Sequence, residues 1–119
     1  MKIRNGFVSN SSSSSFLVCG IYDADSINSV LMKNGIVDSE ITDMYSIIYS
    51  HYIRHGIEHI LGLEVHRSES GRVCLGKSIS LDYGDVNVNQ VKELINDVEN
   101  TLSDVDPSKI IVDYIKEEY

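Results

Sequence analysis

The chain has 119 residues, 42% of them hydrophobic and 24% charged, with one proline, which bounds it to one domain around a single core and excludes a low-complexity chain. Its net charge is −8 and unevenly placed: residues 81–119 hold ten acids against three lysines (−7), and residues 1–80 hold eight acids against seven bases (−1). Such a surface repels phosphate and carries no basic stripe, so nucleic acid is excluded as a partner and a basic protein surface is admitted.

The chain opens MKIRNGFVSNSSSSSFLVCG. Lys2 and Arg4 imitate the charged start of a signal peptide, but serines stand where its apolar segment would be. No apolar run approaches the length of a bilayer span, so no membrane association is expected and the expected compartment is the cytoplasm. Residues 1–15 read as a polar, serine-rich arm, because serine and asparagine side chains compete with the backbone and favour loops. Residues 16–119 read as one α+β domain.

FLVCGIY (16–22) is apolar, β-branched and aromatic, and predicts a largely buried strand. In the next stretch Asp25 or Ser26 caps a short helix that Asn34-Gly35 ends. Asp38-Ser39 opens the longest helical signal, in which Ile41, Met44, Tyr45, Ile48 and Tyr52 recur at three- and four-residue spacing as one apolar stripe. Gly56 weakens or ends that helix, and IEHILG adds a turn. LGLEVHR (61–67) and RVCLGKSISL (72–81) flank SESG, a hairpin loop closed by Gly71. From about residue 88 to 103 the pattern is again helical, with Val91, Leu94, Ile95, Val98 and Leu102 inward and Glu93, Asn96, Asp97, Glu99 and Asn100 outward. Asp106-Pro107 stops it, and KIIVDYI (109–115) supplies a last strand. The order β-α-α-β-β-α-β predicts an α+β fold: a small, mostly antiparallel sheet covered on one face by helices. The pattern does not fix which strands the first and last pair with.

Several residue groups could carry chemistry. His51, His55 and His59 recur every four residues, a spacing that lines imidazoles along one side of a helix and suits zinc. His55 to His59 also fits H-x-x-E-H, with Glu58 as the base and Glu64 or Glu69 completing the shell of a metal-dependent hydrolase. Against this, Gly56 interrupts the motif, and histidines beside an apolar stripe are more often packed, hydrogen-bonded core or interface residues without a cofactor. Cys19 and Cys74 are expected as buried free thiols with no adjoining base. Residues 71–78, GRVCLGKS, satisfy the phosphate-loop pattern of a nucleotide-binding enzyme. A true phosphate loop opens onto a helix, whereas SISLDYG continues as strand, so a hairpin strand with an exposed Lys77 is the expectation. Tyr45, Tyr49 and Tyr52 form an aromatic cluster that packs in the core or anchors a partner. The carboxylates of Glu93, Asp97 and Glu99 would steer a basic partner to the last helix.

Arg4-Asn5 followed by Gly6, Phe7, Val8, Ser9, Asn10, Ser11, Ser12, Ser13, Ser14, Ser15 and Phe16 closely resembles the N-terminal segment shared by many small bacteriophage and prophage proteins. The resemblance covers about the first sixteen residues. It implies origin in a phage or prophage and action in a bacterial host, and it implies no catalytic residues. The leading expectation is therefore an accessory protein that binds and modulates or inhibits a host protein, such as a defence factor. The alternatives are the metal-dependent or nucleotide-binding enzyme above, and a virion or assembly component for which residues 6–16 act as a docking tag. A homo-oligomer is compatible with each.

Overall fold

A computed structural model describes residues 13–68, 70–81 and 86–118. Four strands form one antiparallel sheet: β1 (Ser13–Ile21), β2 (Glu64–Arg67), β3 (Val73–Ser80) and β4 (Ile110–Glu118), in the spatial order β2-β3-β1-β4. The helices are α1 (Ala24–Lys33), α2 (Tyr45–Tyr49), α3 (His51–Gly56) and α4 (Val88–Thr101). The α+β class and the β-α-α-β-β-α-β order expected from the sequence are therefore those of the molecule, with the second helix divided into α2 and α3.

The first strand starts earlier than its apolar run suggests. Ser13, Ser14 and Ser15 extend β1 because β4 supplies backbone partners as far as Glu118, Glu117 and Lys116. Phe16 is registered with Ile115 on one side and Ser80 on the other, which makes β1 the central strand. At Gly20 and Gly76, which face each other across β1 and β3, a Cβ on either residue would overlap the facing backbone, so only glycine fits this pair.

Alternation along β1 divides the sheet into two faces. Cys19 and Ile21 join Leu75 under the helices, in a core completed by Ile27 and Leu31 of α1, Ile47 of α2, Ile57, Leu63, and Leu94 and Val98 of α4. On the opposite face Val18, Tyr22, Cys74 and Ile115 form a smaller buried cluster with Phe16 against it. Local chemistry fixes the helix ends. Asp23 caps α1, accepting from the Ser26 hydroxyl at 2.8 Å and from the Ser26 amide at 3.0 Å, and these bonds hold its carboxyl below the usual range. Asn87 and Gln90 form a reciprocal capping box at the start of α4.

One helix expected from about residue 39 to 56 is instead an irregular segment and two short helices. The reason is tertiary. Buried Asn28 donates to the Ile41 carbonyl at 2.9 Å and accepts from the Ile41 amide at 2.7 Å, pinning that residue in an extended connection. Ser50 then breaks the remaining helix: its backbone is extended (φ −86°, ψ 111°), and its hydroxyl caps α3 by accepting from Ile53 at 3.3 Å. Beyond Gly56 a five-residue π-helical turn, Ile57–Leu61, runs into Gly62, whose φ of 65° suits glycine.

Candidate interaction surface

The break at Ser50 decides where the aromatic side chains go. With the register interrupted, Ile47, Ile53 and Ile57 turn toward the sheet, whereas Tyr49 is 71% and Tyr52 81% exposed. The expected stripe of Ile41, Met44, Tyr45, Ile48 and Tyr52 is thus corrected at Tyr52, which faces outward. Tyr45 is fixed at the rim: its hydroxyl donates to the Gly71 carbonyl at 2.6 Å, and the Arg67 guanidinium lies 5.3 Å from the ring centre. Ile60, in the π turn, is 57% exposed. Aromatic and aliphatic surface thus collects on α2, α3 and the π turn.

His51, His55 and His59 are also exposed, which corrects the expectation of core histidines. The His55 and His59 rings lie 4.0 Å apart, centre to centre. Among the described residues no three His, Cys, Asp or Glu side chains converge on a point that could hold a metal ion. The hydrolase arrangement is therefore not assembled from described residues: Glu58 points to solvent, Glu64 sits on β2, and Glu69 lies outside the described residues. An open groove of about 500 Å³ separates the π turn from β2, lined by Arg54, Ile57, Glu58, Leu63, Glu64 and His66.

Helix α4 lies on the same side of the sheet, with Glu93, Asp97 and Glu99 exposed. Asp97 faces Lys77 of β3 at 3.7 Å, so Lys77 turns under the helix instead of standing free, which corrects the expected exposed lysine. The phosphate-loop pattern at 71–78 is used differently as well. Residues 73–78 are β3, Gly76 packs against Gly20, and strand continues through Ser80 where a phosphate loop would open a helix.

The helix-free face holds polar contacts that the sequence pattern did not single out. Glu64 accepts from the Ser78 hydroxyl at 2.7 Å, and the same oxygen lies 2.7 Å from His66 Nε2. The His66 contact, with help from Ser78, holds Glu64 below the usual carboxylate range. Serine and histidine both address the carboxylate, so histidine is not placed to take the serine proton and the trio is no nucleophilic relay. It ties the short edge strand β2 to β3, with Phe16 packed 5.5 Å from the His66 ring. The alternation in LEVHR carried the signal: Glu64 and His66 share a face because Val65 lies between them.

Beside this trio, the Tyr22 hydroxyl donates to Asp113 at 2.8 Å, and Arg72 lies 4.7 Å from the Tyr22 ring centre. Cys19 and Cys74 are free and buried on opposite faces of the sheet. Burial pushes the Cys19 thiol up to about 11 and Cys74 to about 12, which suits inert packing residues. Of the N-terminal segment, residues 6–12 lie outside the described residues. Ser15 is buried within β1, its hydroxyl 3.0 Å from that of Tyr114, and Phe16 packs against the helix-free face. The end of the serine run is therefore sheet, not arm.

No helix among the described residues is long and apolar enough to cross a membrane. In comparisons with protein families, curated proteins and solved structures, nothing matches this chain.

Proposed function

We propose that this chain is a small acidic accessory protein, encoded by a phage or prophage, that binds and modulates a host protein in the bacterial cytoplasm. One observation carries the reading: Tyr49 and Tyr52 are 71% and 81% exposed on adjoining short helices. Tyrosine buries a large area on binding at little entropic cost, and it is favoured where interfaces concentrate their energy. Its exposure, together with that of Ile60 in the π turn, suits a contact surface better than a solvated one. The carboxylates of Glu93, Asp97 and Glu99 on the same side of the sheet add a negative field that would speed encounter with a basic partner. The resemblance of residues 4–16 to phage proteins supplies the biological setting.

The test is affinity capture from host lysate with the full chain, beside a Tyr49→Ala/Tyr52→Ala double variant. A stoichiometric partner is expected with the wild type and should be lost with the double variant, whose circular dichroism stays unchanged. Reversing Glu93, Asp97 and Glu99 to lysine should slow association and flatten its salt dependence. Equal capture by wild type and double variant, or no stoichiometric partner at all, would overturn this assignment of the surface.

A further inference from the structure

We propose that His55 and His59 together form a surface chelate for a borderline divalent cation of the Zn²⁺, Ni²⁺ and Cu²⁺ class, a site independent of the partner-binding reading above. The two residues are four apart, and the chain between them passes from α3 into the π turn at Ile57. Their ring centres lie 4.0 Å apart with the planes inclined by 40°, so the two imidazoles are already side by side. Both side chains are exposed, and none of the described hydrogen bonds or ion pairs engages either ring. Two imidazoles this close, both on the surface, can each turn a ring nitrogen toward one ion, and imidazole is a ligand for this class of metal.

The charges next to the pair in sequence balance one another. Glu58, next to His59 in the chain, is exposed and negative. Arg54, the cation nearest in sequence, directs its guanidinium to the Ile48 carbonyl at 3.4 Å. No third protein donor joins the pair among the described residues, so the remaining coordination positions fall to water. That distinguishes this chelate from a closed structural zinc site and from the three-ligand centre of a hydrolase. It also sets the selectivity. Hard, oxygen-seeking Mg²⁺ is not held, and Cu²⁺ binds more tightly than Ni²⁺ or Zn²⁺.

The test is calorimetric titration of the full chain with Ni²⁺, repeated with His51→Ala, His55→Ala, His59→Ala and the double variant His55→Ala/His59→Ala. One ion per chain is expected for the wild type. Because removing even an outer partner of a metal ligand costs about tenfold in affinity, each of His55→Ala and His59→Ala should weaken binding by more than roughly that factor, and His51→Ala should leave it within about twofold. All three side chains are exposed, so the variants keep the fold, and unchanged thermal unfolding verifies this. Absence of Ni²⁺ binding, binding that survives loss of both His55 and His59, or an equal loss with His51→Ala would each overturn the two-residue site.

Discussion

Asn28 shows how much one polar side chain can decide. It is 5% exposed, and both ends of its carboxamide serve the backbone of Ile41, thirteen residues away. Replacing it with alanine would leave a half-buried N–H and C=O without these partners and open a small void. The expected cost is about 2–4 kcal/mol, read as a lower urea midpoint with an unchanged slope. Asn28→Asp keeps the acceptor and loses the donor, so it should fall between alanine and wild type. A cost under about 0.5 kcal/mol for Asn28→Ala would mean that Ile41 is held by something other than this clamp. Nothing in DADSINSVLMKNG marks Asn28 as special, because its partner lies in another segment. Glu64 and His66, by contrast, could have been read from the alternation of their strand.

At the scale of elements, regular patterns were legible and interrupted ones were not. The inward set of α4, with Leu94, Val98 and Leu102 buried, follows directly from its 3.6-residue spacing. The hairpin at 68–71 follows from Gly71, whose φ of 86° lets the turn close through the Ser68 to Arg72 backbone bond at 2.8 Å. The long helix failed because its apolar spacing says nothing of the Asn28 clamp or of the cap formed by Ser50. The pairing of β1 with β4 was not legible, since strand order depends on contacts far apart in sequence. Strand β4 also carries a device that only its edge position explains. It is an outer strand, with Ile111 41%, Val112 43% and Tyr114 52% exposed, a surface inviting another strand. Asp113 counters this: one carboxylate oxygen accepts the Tyr22 hydroxyl at 2.8 Å, and the other accepts the Tyr114 amide at 2.9 Å. That amide is then unavailable to an incoming strand. Asp113→Ala should therefore shift the protein toward concentration-dependent self-association in sedimentation velocity, whereas Asp113→Asn, which keeps an acceptor, should not. Identical sedimentation of alanine variant and wild type would remove the blocking role.

Across the whole molecule, stability and exposed surface are kept apart, and the division is not the one a two-layer scheme suggests. A sheet with helices on one side would ordinarily place its important apolar residues beneath them. Here Val18, Cys74 and Ile115, on the helix-free side, are as fully buried as Ile21 and Leu31 on the other. The central strand is thus enclosed on both faces, and its outward set is core. Ile115→Ala is expected to cost about 2–4 kcal/mol, comparable with a substitution under the helices. Tyr49→Ala and Tyr52→Ala, despite removing larger side chains, should each stay within about 0.5 kcal/mol of wild type, because their surface is already in water. Chemical denaturation of the three variants decides this. A small effect at Ile115 would make the helix-free face a mere surface, and a large one at Tyr52 would return that residue to the core. Should the expected order hold, the two large tyrosines on α2 and α3 contribute little to folding, which leaves their exposed surface free for the contact proposed above.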